Sequence, residues 1–269
     1  VAKDIPFSFA QTEYLKWESE QLQLKKQTLD ALNNKEFRMF IQPVVGGKDW
    51  KICGGEAVSR WDHPQKGLLF PGSYIDLMES EGTIAELDFY IFEEVCRQLE
   101  QWQKIGRWLY LSCNFARITI GRDNFVQRVE EIANQFQFNR DFLIMEITED
   151  AMETNKQVAF GNISRCKDLG FRIALDDAGS GYTSFADLRD YPIDLVKIDR
   201  SILNSVTMPR GAALLRGVTA LAHNLDMRVL CEGAETQEQA NMLRDIGCDY
   251  IQGYYFYHPL PLKEIERIL

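Results

Sequence analysis

Phe171-Arg172-Ile173-Ala174-Leu175-Asp176-Asp177-Ala178-Gly179-Ser180-Gly181 reads as an apolar strand that ends in two adjacent carboxylates and runs into a glycine-bearing loop. The same design recurs along the chain. Met145-Glu146-Ile147-Thr148-Glu149, Val196-Lys197-Ile198-Asp199 and Cys231-Glu232-Gly233-Ala234-Glu235 each pass from apolar residues to charged ones. Cys113-Asn114 ends another run in an amide, Gly55-Glu56-Ala57-Val58 carries an acid within a run, and Ile251-Gln252-Gly253 closes the series. Eight strands are expected, at 37–45, 52–60, 109–115, 142–147, 171–177, 195–198, 228–232 and 250–254. The segments between them have helical spacing. Ile84, Leu87, Ile91, Val95, Leu99 and Trp102 step by three or four, as do Phe125, Val129, Ile132 and Phe136, and Leu214, Val218, Leu221 and Leu225. Strands alternating with helices make an α/β fold, either an open doubly wound sheet or a closed barrel. The strand-end polar groups favour the (β/α)8 barrel, because closure gathers all of them at one mouth whereas an open sheet strings them along an edge. The turn Gly46-Gly47-Lys48-Asp49 predicts that the first two strands pair antiparallel.

The chain's 269 residues suit such a barrel, and 45% hydrophobic with 26% charged residues is an ordinary globular balance. Residues 11–35 are polar, lack Gly and Pro, and read as an exposed or linker helix, so the expected organisation is a linker helix over 1–35 and a barrel over 36–269. No apolar run is long enough for a transmembrane span, and the start Val1-Ala2-Lys3-Asp4 shows no signal pattern. A fragment of a longer protein is expected. With a net charge of −10 and no basic patch, DNA is not an expected partner. The six cysteines form no CxxC pair, which argues against a zinc ribbon and for buried thiols in a reducing cytoplasm. His63, His223 and His258 are scattered and read as surface or packing residues.

A barrel brings Glu56, Asn114, Glu146, Asp176, Asp177 and Glu232 together at its mouth. Five carboxylates at close range raise one another's pKa and need cations. All-oxygen donors favour Mg²⁺ or Mn²⁺, with Ca²⁺ admissible, over zinc or copper. Two such ions are the usual device for in-line attack on a phosphodiester. A single strand-end acid is more often a helix cap or surface group, and for Glu149, Asp199 and Glu235 that reading stands level with a functional one. Lys197 sits inside an apolar strand, where a lone ammonium is costly. It either pairs with a neighbouring carboxylate or also steadies an anionic transition state. The Gly179-Ser180-Gly181 segment lacks the third glycine of a dinucleotide fingerprint, so a loop over the metal site is the better reading.

On these residues the chain closely resembles the EAL-domain family of bacterial cyclic di-GMP phosphodiesterases, over about 37–262. Glu56-Ala57-Val58 stands at the name-giving tripeptide, followed by Arg60-Trp61 and His63-Pro64. Ile41-Gln42-Pro43-Val44, Asp176-Asp177-Ala178-Gly179-Ser180-Gly181, Lys197-Ile198-Asp199, Glu232-Gly233-Ala234-Glu235 and Gln252-Gly253-Tyr254 follow in family order. The resemblance implies a TIM-like barrel with an antiparallel first strand. It also implies hydrolysis of cyclic di-GMP to linear pGpG with two Mg²⁺ or Mn²⁺ ions, inhibited by Ca²⁺. It assigns Glu56, Asn114, Glu146 and Asp176 to one metal, Asp176, Asp177 and Glu232 to the second, and makes Lys197 the catalytic lysine. Glu149 matches a glutamate that steadies the loop after Asp177, while Gln42, Arg60, Glu235 and Gln252 match positions near the substrate. It further implies a homodimer, and a parent chain, membrane-anchored or not, with an upstream sensor or diguanylate cyclase domain. Val58 replaces Leu, Ala178 replaces Phe and Ala234 replaces Val, and Phe115-Ala116 follows Asn114 in place of small hydroxyl residues; none of these removes a metal ligand. The smaller Ala178 supports an alternative, a catalytically weak or inactive receptor that binds cyclic di-GMP or a partner protein.

Overall fold

The computed structural model describes residues 24, 27–148, 156–178, 185–204, 206 and 208–269. The chain forms two compact units, Val1–Arg38 with Ser59–Leu87, and Met39–Val58 with Asp88–Leu269.

The larger unit holds the barrel. The strands are β1 (Phe37–Gly46), β2 (Ile52–His63), β4 (Tyr110–Phe115), β5 (Leu143–Thr148), β6 (Arg172–Ala178), β7 (Leu195–Ile198), β8 (Arg228–Cys231) and β9 (Tyr250–Ile251); β3 is Gly67–Leu69 and β10 is Leu260–Pro261. Neighbours run β1-β9-β8-β7-β6-β5-β4-β2, and a further β1–β2 pairing closes the ring. From β2 through β4 to β9 every pairing is parallel. β1 alone is antiparallel to its neighbour β9. Five residues join β1 to β2, too few for a crossover, so these two also pair antiparallel. The barrel and its reversed first strand are therefore as expected.

Val44, Ala174, Leu195 and Leu230 fill the barrel interior, with Cys53, Ile144 and Tyr250 packed against them. Gly55 lets β1 and β2 approach, since a Cβ there would stand 2.4 Å from Ile41 Cγ2. Outside the barrel, Phe92 on the helix Ile84–Lys104 packs on Phe115 and Phe171 (ring centroids 5.7 and 5.9 Å apart). The stripe expected on that helix is buried along its whole length. On Pro209–Asn224 the expected stripe is wrong. Leu214 is exposed, and the buried face is Gly211, Ala212, Leu215, Thr219 and Ala222.

In the smaller unit, Trp61 stacks on Phe37 (5.3 Å) and donates from Nε1 to Glu36 (2.9 Å). β3 pairs back on β2 as a hairpin absent from the expectation. Leu24, Thr28 and Ala31 are buried and lie on one helical face. Arg60 belongs to this unit. It is buried, donates to its neighbour's Ser59 carbonyl (2.8 Å) and lies over the Phe70 ring at 5.0 Å. Among the described residues no helix is long and apolar enough to cross a membrane.

Candidate active site

Each site residue of the barrel is set by its strand. Glu56 stands on β2, Glu146 on β5, Asp176 on β6 and Lys197 on β7, and parallel pairing puts Glu56 opposite Ser112, Asn114 opposite Glu146 and Thr148 opposite Asp176. At the centre is Lys197, 1% exposed. Its Nζ stands 2.7 Å from Glu146 Oε2, 2.7 Å from Glu232 Oε1, 3.1 Å from Asp176 Oδ1 and 3.5 Å from Glu56 Oε2. One ammonium thus faces four carboxylates from four strands or strand ends. The bland reading of Lys197, pairing with acids, is fulfilled, and the pairing is with four of the predicted site residues at once.

Glu56 is held from both sides. Asn114 Nδ2 donates to its Oε1 (2.8 Å) and Gln252 Nε2 to its Oε2 (2.9 Å). Burial pushes the Glu56 carboxyl up, but the Lys197 charge and these two amide donors outweigh it and hold it below the usual range. Glu146 goes the other way. Burial, then the charge of Glu56, lift it well above an ordinary glutamate despite Lys197. Burial likewise pushes Glu232 up to about 7. Burial disfavours the charge on Lys197, yet the surrounding carboxylates raise its pKa well above the usual value. The group therefore holds more acid than one ammonium can balance.

Asp176, Asp177 and Glu232 place one carboxylate oxygen each within 4.8 Å of one another. Consecutive strand residues normally point to opposite faces. Asp177 escapes that rule because its backbone turns left-handed, at φ 56°, and its N–H donates to Asp176 Oδ1 (3.0 Å). The three acids are all hard oxygen donors, the set a divalent cation requires. Two buried acceptors, Gln252 Oε1 and Glu232 Oε1, have no hydrogen-bond donor among the described residues, although Glu232 Oε1 keeps its ion pair with Lys197. A cation fits this oxygen chemistry.

Beside the acids opens a recess lined by Gln42, Glu56, Glu232, Glu235, Gln252 and others. Gln42 donates to the Tyr257 carbonyl (3.4 Å). Glu235 pairs with Arg200 (2.8 Å). Asp199 accepts from Ser201 N (2.8 Å) as the cap of the turn Arg200–Leu203, which explains it as a structural group. Glu149 lies outside the described residues. Arg200 and Tyr254 line the recess too, and sequence reasoning passed over both. An arginine directly after a strand-end acid was the available signal.

Curated relatives and solved structures are similar over most of the chain. Cyclic di-GMP phosphodiesterase NbdA of Pseudomonas aeruginosa is 33% identical over 253 residues, which are 93% of this chain and 32% of that protein. Oxygen sensor protein DosP of Escherichia coli is 32% identical, over 96% of this chain and 32% of its own length. The chain thus spans about a third of the length of these relatives. A solved structure described as "PaMucR Phosphodiesterase, c-di-GMP complex" superposes with a TM-score of 0.85 at 28% identity, covering 90% of this chain and 99% of that one. The sequence model of the EAL domain matches residues 25–259, and the chain belongs to the EAL domain family.

Proposed function

We propose that this barrel hydrolyses cyclic di-GMP to linear pGpG with two Mg²⁺ or Mn²⁺ ions. The observation that carries this reading is the Lys197 cluster, with four carboxylates around one ammonium and Asp176, Asp177 and Glu232 converging beside it. Glu56, Asn114, Glu146 and Asp176 would hold one ion, and Asp176, Asp177 and Glu232 the other. Such ions supply Lewis acidity for cleaving a P–O bond. The chain's own residues do the rest. Lys197 helps keep Glu56 ionised and would add positive charge near the phosphoryl oxygens. The two amides on Glu56 fix its carboxylate, and Gln252 Oε1 offers an acceptor to the attacking water. Gln42 and Glu235, which line the recess, would complete the substrate contacts. The overall reaction adds water across one phosphodiester, so that one phosphate stays on a 5′ oxygen and the 3′ oxygen leaves protonated.

The name of DosP, an oxygen sensor protein, supports a parent chain with an upstream sensor domain; an upstream diguanylate cyclase domain and a cytoplasmic homodimer are proposed alongside it. The receptor reading rests on Ala178, which is buried at the end of β6 beside a register irregularity between β6 and β7. Incubation with cyclic di-GMP and Mg²⁺ or Mn²⁺, followed by chromatography, tests both readings. Appearance of pGpG, lost by at least about 100-fold in Asp177→Asn, is the expected result. Tight binding without product would establish the receptor instead.

A further inference from the structure

Asn114 stands near the end of β4, and the helical turn Arg117–Ile120 that follows it is held from outside rather than by its own side chains. The cap residue of that turn, Ala116, has no side chain that could accept a hydrogen bond. Asp88, on the helix Ile84–Lys104, takes over that role. Its Oδ2 accepts from Ala116 N (2.9 Å) and from Thr119 Oγ1 (2.5 Å). At the other end of the turn Asn162, on the helix Lys156–Asp168, donates from Nδ2 to the carbonyls of Ile120 (2.7 Å) and Arg122 (3.1 Å). Asp88, Thr119 and Asn162 are all buried. Between Asn114 and Ala116, Phe115 packs against Phe89, Phe92 and Phe125, with ring centroids 6.2, 5.7 and 5.3 Å apart.

A buried carboxylate and a buried amide each carry a desolvation cost, and so short a turn is not stable alone. Both groups nevertheless converge on the one segment that follows Asn114. The direction of the Asn114 amide matters. Its Nδ2 donates to Glu56 Oε1 (2.8 Å), and an amide turned over would set its own oxygen against that carboxylate. The side chain can reach Glu56 in this way only while the backbone leaving β4 keeps its course. We infer that Asp88 is a positioning residue of the active site, with Asn162 its counterpart at the far end of the turn. From the helix layer it fixes the backbone after β4, so that the Asn114 amide meets Glu56 and its oxygen stays available to a cation. Asp88 acts through Asn114 and not on the reacting atoms. The inference rests on the reading of Asn114 as a metal ligand, and it adds what holds that ligand in place.

The test is a double-mutant cycle on the whole chain, with Asp88→Ala, Asn114→Ala and the two together. Mn²⁺ affinity is read by calorimetry, kcat and KM for cyclic di-GMP by initial rates, and stability by denaturant titration. Asp88→Ala is expected to weaken Mn²⁺ binding by roughly 10- to 100-fold, with kcat falling alongside and KM little moved. In the Asn114→Ala background the same substitution should change neither, because the side chain it positions is gone. A merely structural role would lower stability and leave Mn²⁺ affinity unmoved, and that result overturns the inference. A loss of equal size in both backgrounds overturns it too. Thr119→Val removes one of the two donors to Asp88 and keeps the acid. Taken through the same cycle it should show a smaller loss of the same pattern, and it carries the test should Asp88→Ala not fold. A parent chain that binds Mn²⁺ without making pGpG sinks the proposed hydrolysis, while the affinity cycle still decides the role of Asp88. A parent chain that binds no Mn²⁺ overturns the inference together with the reading of the site.

Discussion

The two ends of the barrel handle charge in opposite ways. At the strand starts, each acid is matched. Asp141 takes two hydrogen bonds from Arg172 (2.9 and 2.7 Å), and Asp194 pairs with Lys167 and accepts from Ile173 N (2.9 Å). Asp249 accepts from His223 (2.7 Å), Arg228 (2.9 Å) and Val229 N (2.9 Å). At the strand ends, Glu56, Glu146, Asp176 and Glu232 share the single Lys197. The first arrangement is closed, with every donor spoken for, and it serves stability. The second carries surplus negative charge that folding alone does not explain, and function lies where that surplus lies.

The widest gap between the ends should come from Lys197→Met. Removing the shared ammonium leaves buried acids uncompensated, so the chain should lose about 3–5 kcal/mol in denaturant titrations with a chelator present, along with its phosphodiesterase activity. A variant as stable as the parent would mean that the acids are already neutral. Next comes the cation itself. Mg²⁺ or Mn²⁺ at a hundred times its dissociation constant should stabilise by about 2.7 kcal/mol. Asp177→Asn should lose that increment and Asp249→Asn should keep it, as thermal shifts would read.

Asp249→Asn probes the closed end and should cost about 1–2 kcal/mol. Burial pushes this carboxyl up, but the donors from His223, Val229 and Arg228 outweigh it and hold it below the ordinary range. A depressed pKa stabilises above the unfolded value of about 3.9 and loses that contribution as pH falls through the folded value. The difference between parent and variant should therefore be full at neutral pH and close in acid. Glu232→Gln should be the smallest effect and opposite in sign. Its carboxyl is raised from 4.5 to about 7, so the folded chain favours the neutral form, and ionisation erodes stability as pH climbs between those values. Without metal the glutamine should be neutral to slightly stabilising, by up to about 1 kcal/mol, with the advantage growing from pH 5 to 7. If both substitutions follow the same pH trend, the contrast between the ends fails.

Much of this was legible because apolar strands and their polar ends are local features. The strands bearing Glu146, Asp176 and Lys197 follow from short apolar runs, the ring closure from the polar groups at their ends, and the reversed β1 from one turn. Which strand-flanking acid does what is not local. Asp194 and Asp199 bracket the same strand, β7, and look equivalent in sequence. One clasps Lys167 and Ile173, while the other caps a turn, and only packing tells them apart. β3 has three residues and β10 two, one of them proline, too short for any period to register. Strand β9 stops at Ile251, short of the expected Tyr254, because Gly253 lies so close to Ala234 that a Cβ would stand 2.2 Å from its carbonyl. Arg200 was missed because its meaning depends on Glu235, which is far from it in the chain.

The left-handed backbone at Asp177 has an evolutionary consequence. Few side chains tolerate that conformation, and asparagine and aspartate lead them. Asparagine is one base change from aspartate in the codon. The cheapest inherited lesion at this position therefore spares the fold and strikes only the chemistry. A lineage can step from an eraser of a signal to a listener for it in a single mutation, and the same step taken backwards would restore the blade.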